Sequence, residues 1–367
     1  MDLSIGRVER TVHGALDYAE LERLGLRAQD MLDFSVNSNP YGPSPYVREA
    51  LLQLAIESYP DRECLDLQRA ILSYELAETD IAHLSIVCGN GTAELIWCIA
   101  RAYLKPGLKV RIIGPTFGEY SAACRAVGAI IVEFRADVAL QFQLDTIAVA
   151  SWIEQEQPVL VWLCNPNNPT GIWLDKQQIL PIVQACQHVG ATLAVDEAYY
   201  HFVVPHEDFS SIELQEPNNE YKVIVLRSLT KDYALAGLRL GYALAAPGCA
   251  QRLREQLPSW NVSGAAQDAG RAALADQQHL THTLRILTSE RAEFFQALKE
   301  GGLPPMPSRT HFCLLDVGDA PRIRLELLKR NIVVRDCTSF GLPSFIRVAT
   351  RRKEDWQRLL PALRSVL

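Results

Sequence analysis

Short runs of β-branched and other apolar residues alternate with longer stretches of helical periodicity through the first two thirds of the chain. The runs predict strands at 83–88, 109–113, 130–134, 159–164, 192–195, 222–226 and 239–245. Helical patterns fall between them, among others at 92–104, 120–127 and 175–188. Strands separated by helices imply crossover connections and a mostly parallel sheet. Runs such as VLVWLC and KVIVLR are almost continuously apolar, as expected where helices cover both faces of the sheet. The expected fold class is therefore α/β.

The pattern changes after about Ser263. Two long helical stretches, 265–275 and 279–300, run into the breaker-rich connection GGLPPMPSRT. A compact α+β pattern follows, with strand 311–317, helix 321–329, strands 332–335 and 345–349, and a last helix from Lys353. Near the other end, NSNPYGPSP is a turn-forming string that no helix tolerates. The predicted organisation is an arm at 1–44 near the small domain, a large domain at 45–263, and linking helices with a small α+β domain at 264–367. A length of 367 residues fits two domains.

Composition narrows the class of protein. The chain is 48% hydrophobic and 22% charged, which argues against extensive disorder. No run approaches the roughly 18 apolar residues that span a bilayer. The start, MDLSIGRVERTVHG, lacks the apolar stretch of about 7–15 residues of a secretory signal. A net charge of −7 argues against a protein built around a nucleic-acid backbone. The nine cysteines include no C-x-x-C pair, and most sit in apolar runs. They read as reduced, buried thiols of a cytoplasmic protein rather than a metal site or disulfide framework.

Several strand ends carry residues suited to one chemistry. Lys231 closes SLTK just after the run VIVLR, where α/β sheets form ligand sites. A lysine of lowered pKa can form a Schiff base with an aldehyde cofactor, although a solvated surface lysine would look the same. Arg239, eight residues on, is within reach of an anion beside it. Asp196 ends the run LAVD, where a carboxylate is costly unless paired, for instance with a protonated ring nitrogen. A helix cap is the simpler use of such an Asp. Tyr199 is placed to donate to a phenolic oxygen from the same side. CNPNNPTG is fixed as a loop and presents the uncharged amide of Asn168. GNGTAE joins a strand to a helix, whose first N–H groups favour phosphate. Glu94 stands where a dinucleotide fingerprint needs its third glycine, which leaves a single phosphate near Gly91 and Thr92. Phe117 offers a face for a planar ring, or else belongs to the core.

NPNNPTG, VDEAYY, SLTK followed by Arg239, and IRVA resemble, in this order, the class I/II aminotransferases. These are pyridoxal-phosphate enzymes with the large fold of aspartate aminotransferase, and the resemblance spans nearly the whole chain. Within the family the chain is similar to threonine-phosphate decarboxylases of cobalamin synthesis and to histidinol-phosphate aminotransferases. His13-Gly14, LDFSVNSNP, GNG, PTFGEY, VLRSLTKDYALAGLRLGY and VVRDC favour the decarboxylases. The aminotransferases usually read NENP where this chain has Asn37-Ser38-Asn39-Pro40. One departure from the decarboxylase pattern is Ala15, which replaces the second glycine after the histidine.

The resemblance implies pyridoxal 5'-phosphate as cofactor and a role for each matched residue. Lys231 would carry the cofactor and then act as acid and base. Asp196 would keep its ring nitrogen protonated, Asn168 and Tyr199 would bind its ring oxygen, and Phe117 would stack on it. Gly91, Thr92, Ser228 and Arg239 would hold its phosphate, joined by Tyr59 from a neighbouring subunit, so a homodimer is implied. Arg347 would bind a substrate carboxylate and Arg335 a second anion, with His13, Gly14 and Asn39 completing the substrate site. The expected reaction is decarboxylation of threonine O-phosphate. The alternatives are histidinol-phosphate transamination with 2-oxoglutarate and a non-catalytic regulatory module that binds the cofactor. The bond broken at Cα is the one held perpendicular to the cofactor ring, so the arginines that place the anions decide the outcome.

Overall fold

The computed structural model describes residues 13–76, 82–204, 210–215 and 222–367, so the first twelve residues of the predicted arm lie outside the described residues. The strands in chain order are β1 (Leu32–Asp33), β2 (Ser85–Asn90), β3 (Lys109–Gly114), β4 (Ile130–Arg135), β5 (Leu160–Cys164) and β6 (Thr192–Asp196). They continue with β7 (Val223–Ser228), β8 (Leu240–Ala245), β9 (Phe312–Asp316), β10 (Ile332–Val333), β11 (Arg335–Asp336) and β12 (Phe345–Ala349).

Seven of them form one sheet in the order β2-β8-β7-β6-β5-β3-β4. β4, β3, β5, β6 and β7 pair in parallel, and β8 runs antiparallel between β7 and β2. The sheet is thus mostly parallel, with helices on both faces, as expected. Side chains alternate between two cores. Val161 and Leu163 join Ile153, Ile179 and Val183 on one face, while Leu160 and Trp162 join Leu95, Ile99 and Tyr120 on the other. Each such burial contributes about 1.5–3 kcal/mol, which is why both faces of one strand read as apolar.

Helix boundaries follow their caps. Asp175 caps the helix Lys176–His188 through a reciprocal box with Gln178, so the helix begins one residue after the predicted start. Asp145 caps an additional helix, Thr146–Glu156, through Ile147 N and Ala148 N. β2 runs two residues further than predicted, because Gly89 and Asn90 stay in register with Gly241 and Leu240.

The C-terminal part packs around Phe294, Leu315, Ile323, Ile346 and Trp356, and it takes in Leu32 and Phe34 from the arm. The predicted strand 332–335 is two strands. Ile332 and Val333 pair in parallel with Leu32 and Asp33, whereas Arg335 and Asp336 pair antiparallel with Arg347 and Ile346. One apolar run therefore serves two sheets. It ties the arm to the antiparallel sheet β11-β12-β9, beside the packing the arm was expected to make.

Candidate active site

The C-terminal ends of β5, β6 and β7 meet at one edge of the large sheet, the place where open α/β sheets bind ligands. After β5 the loop 165–171 is stapled by its own asparagines. Asn165 Nδ2 donates to Leu174 O at 2.9 Å, and Leu174 N returns to Asn165 Oδ1 at 2.7 Å. Asn167 Nδ2 donates to Pro115 O at 3.0 Å and to Thr170 Oγ1 at 2.8 Å. With both neighbours committed, Asn168 is the buried amide that faces the cavity.

Asp196 closes β6 and is buried. Its Oδ1 accepts from Ala198 N at 3.0 Å and its Oδ2 from the Tyr120 hydroxyl at 2.8 Å. Burial pushes this carboxyl upward, while Tyr120, Ala198 and Lys231 pull it back toward the ionised form. Lys231, just past β7, is lowered to about 8, first by burial and then by Arg347 and Arg239, against the pull of Asp196 and Asp232. An amine so placed is a nucleophile and a base near neutral pH.

The helix Gly91–Tyr103 begins at the same edge, with no side-chain cap from Asn90. Gly91 has φ +75°, and a Cβ there would lie 2.8 Å from Arg239 Nη2, so glycine serves both the turn and the approach of that guanidinium. Ser228 sits behind the wall, its Oγ 2.7 Å from Thr230 Oγ1, and Thr230 lines the cavity. Backbone N–H groups at a helix start, a hydroxyl pair and Arg239 make a cradle for phosphate.

These groups line a cavity of about 360 Å³ that continues into a lobe of about 100 Å³. Asp196, Thr92 and Tyr120 border the lobe. Arg335, Arg347, His13, Gly14, Asn37 and Glu119 border the mouth. Phe117, Asn168, Tyr199, Lys231 and Arg239 border both. Arg347 is anchored on two sides, Nη1 donating to Asn168 Oδ1 and Nη2 to Ser35 O at 2.5 Å, and its buried Nε makes no hydrogen bond among the described residues. Burial lowers its pKa. Arg335 is lowered to about 10, first by burial and then by Arg347, and its Nη2 donates to Ser339 Oγ at 2.6 Å. Burial also raises Tyr199 to about 12, which keeps its hydroxyl a donor; Asn37 Nδ2 lies 3.5 Å from it.

His13 lies over Phe117, with ring centroids 5.3 Å apart, and its Nε2 pairs with Glu119 Oε1 at 2.8 Å. Glu119 in turn accepts from Trp97 Nε1 at 2.8 Å. Gly14 presses on the backbone of Ser35, where a Cβ would come within 2.3 Å of the carbonyl oxygen. Ala15 has φ +121°, so the backbone keeps the glycine-type conformation although the glycine is gone.

Two predicted residues lie elsewhere. Asn39 is outside the cavity: its Nδ2 donates to Asp232 O at 3.0 Å and Thr283 Oγ1 at 2.8 Å, and its backbone N holds Lys231 O at 2.8 Å. Asn37, two residues earlier, takes the place at the cavity. Tyr59 is 83% exposed and stacks near Trp260 at 5.1 Å, away from this chain's own cavity. Tyr120, Glu119 and Ser35 were given no role in the sequence reading, although PTFGEY and LDFSVNSNP contain them. Among the described residues no cluster of His, Cys, Asp and Glu can hold a metal.

Residues 29–363 match the family described as aminotransferase class I and II. The chain belongs to this family. Membership makes it a pyridoxal-phosphate-dependent enzyme, and the residues present fit that group: a buried carboxylate, a lysine of lowered pKa, a phosphate cradle and an orphaned Arg347 Nε. A histidinol-phosphate aminotransferase of Geobacillus sp. is 31% identical over 344 residues, covering 92% of this chain and 90% of the relative. A protein of Caldanaerobacter subterraneus named "Putative threonine-phosphate decarboxylase" is 30% identical, covering 90% and 89%. The crystal structure of a Sinorhizobium meliloti histidinol-phosphate aminotransferase in complex with pyridoxal-5'-phosphate superposes with a TM-score of 0.83 at 26% identity, covering 96% and 94%.

Proposed function

We propose that the chain is a histidinol-phosphate-type aminotransferase, passing an amino group from a phosphorylated amine to 2-oxoglutarate. The sequence motifs put decarboxylation first; the family's relatives, mainly named histidinol-phosphate aminotransferase, favour the alternative. The observation that carries the proposal is the pairing of Arg335 directly opposite Arg347 at the mouth of the cavity that Lys231 lines. Two guanidiniums suit a site that must accept a phosphate in one half-reaction and a dicarboxylate in the other. Arg347, anchored by Asn168 and Ser35, is placed to hold a carboxylate of the dicarboxylate acceptor.

The remaining residues take the roles that the family resemblance implies. Bound pyridoxal phosphate supplies the sink for the electron pair left at the substrate's Cα. Lys231 moves the proton at that carbon, Asp196 pairs with the ring nitrogen, and Asn168 and Tyr199 donate to the ring oxygen. Phe117 covers the ring, while Gly91, Thr92, Ser228 and Arg239 hold the phosphate. The large domain at 45–263 supplies these groups, and the arm and the part at 264–367 supply His13, Gly14, Arg335 and Arg347. We further propose a homodimer in which Tyr59 reaches the partner's cofactor phosphate. Support comes from its exposure beside Trp260 and from the exposed apolar residues Leu52 and Ile56 a few positions earlier in the chain. A cytoplasmic location is supported by nine unpaired thiols.

Threonine O-phosphate decarboxylation is the second reading, favoured by His13 and Gly14 at the cavity mouth and by the Caldanaerobacter relative. One pair of assays decides. With histidinol phosphate and 2-oxoglutarate the purified enzyme should form glutamate, and with threonine O-phosphate alone it should release no CO2. CO2 from threonine O-phosphate, with no glutamate in the first assay, overturns the proposal.

A further inference from the structure

We propose that Tyr120 is a positioning residue for the reaction: its hydroxyl fixes the carboxylate of Asp196 that meets the cofactor's ring nitrogen. The inference rests on the cofactor reading above and adds to it a residue that none of the family motifs contains in a stated role.

Tyr120 stands in the first turn of the helix Glu119–Ala126 and is completely buried. Its ring has no freedom to swing. It lies stacked on Trp162 of β5, with centroids 4.8 Å apart and planes 11° from parallel. Phe117 meets it edge-on at 5.7 Å. The hydroxyl of a ring so clamped has a fixed position, and that position is 2.8 Å from Asp196 Oδ2.

The direction of this bond matters. An ionised carboxylate only accepts, so Tyr120 is the donor, and Ala198 N is the donor to the other oxygen. Each Asp196 oxygen thus spends one lone pair on a rigid donor and keeps another. The two donors fix the plane of the carboxylate, and both favour its charged form. Burial works against that form, as does Glu197, while Lys231 supports it. Removing the hydroxyl would take away one of the two donors without opening a cavity larger than an oxygen atom. Without that donor the Asp196 carboxylate would be more basic, and the proton it shares with the ring nitrogen would shift from the nitrogen toward the carboxylate. A residue acting only as packing would change none of this.

The test uses the holoenzyme and the Tyr120→Phe variant, each loaded with pyridoxal phosphate labelled with 15N at the ring, and with the 1-deaza analogue that lacks this nitrogen. The hydroxyl's loss should move the 15N resonance toward the unprotonated position. It should also lower kcat by about 10–100-fold with the natural cofactor, the range of one hydrogen bond to a charged group, with KM little changed. With the 1-deaza cofactor the two proteins should turn over at rates within about twofold. An unmoved 15N resonance, or an equal loss with both cofactors, would overturn the role of Tyr120. Failure of the unaltered protein to bind either cofactor would instead overturn the cofactor reading itself.

Discussion

Arg335 and Arg347 are direct cross-strand partners in the antiparallel pair β11–β12, so their side chains leave the same face of the sheet. Both are almost completely buried. Like charges placed opposite each other cost roughly 0.2–1 kcal/mol, a cost that an anion bound between them would offset.

Selectivity should follow from this pair. Arg335→Ala should lower kcat/KM for histidinol phosphate and for 2-oxoglutarate by about 10–100-fold, the value of one charge-assisted contact, and leave a monoanionic amino acid such as alanine within about threefold. The ligand-free Arg335→Leu protein should melt no lower than the parent. Steady-state kinetics with the three substrates and one melting curve check both statements.

Lys231 should make the stability of the cofactor-free protein depend on pH. Its amine sits at about 8 in the folded chain and about 10.4 when unfolded. Between those values the unfolded state binds more protons, so stability rises with pH through that window. Lys231→Met should lose this rise, on the order of 1–3 kcal/mol between pH 7 and pH 10. Urea titrations at both pH values measure it. The rate at which the cofactor-free enzyme captures pyridoxal phosphate should climb with pH up to about 8 and then level off.

How much of this the sequence disclosed varies with the origin of each feature. The strings at β5 and β7 were legible because helices cover both faces, which leaves an unbroken apolar signature. Asp196 was legible because it ends such a string, and Lys231 and Asn168 because they follow one within four residues. The break at Val334 was not, since it depends on a pairing with Leu32 some 300 residues away in the chain. The opposition of Arg335 and Arg347 was hidden for the same reason: it is a matter of register between strands. Asn37 and Asn39 are the same residue type two positions apart, and only the contacts of Asn39 with Asp232 and Thr283 separate their uses.

Asp196 should cost the cofactor-free protein stability. It is a buried carboxylate whose pKa is raised, so protonation is easier in the folded chain and stability from this group increases as pH falls through the folded value. Asp196→Asn should stabilise the cofactor-free protein at pH 7 by on the order of 1–2 kcal/mol while sharply lowering turnover. Calorimetry and a turnover assay on the same preparation test the pair of effects.

Ala15 holds a conformation that glycine would adopt freely. Ala15→Gly should relieve strain of about 1 kcal/mol and favour the state in which Ala15 N donates to Ser35 Oγ at 2.9 Å. Hydrogen exchange at residue 15 should slow by about fivefold, and KM for the phosphorylated substrate should fall.

The most direct measurement is a half-reaction followed by absorbance. Histidinol phosphate added to the holoenzyme without 2-oxoglutarate should convert the bound cofactor stoichiometrically from its aldehyde to its amine form, and 2-oxoglutarate should restore it. Lys231→Ala should do neither. A cofactor spectrum that stays in the aldehyde form while threonine O-phosphate is consumed would contradict the account.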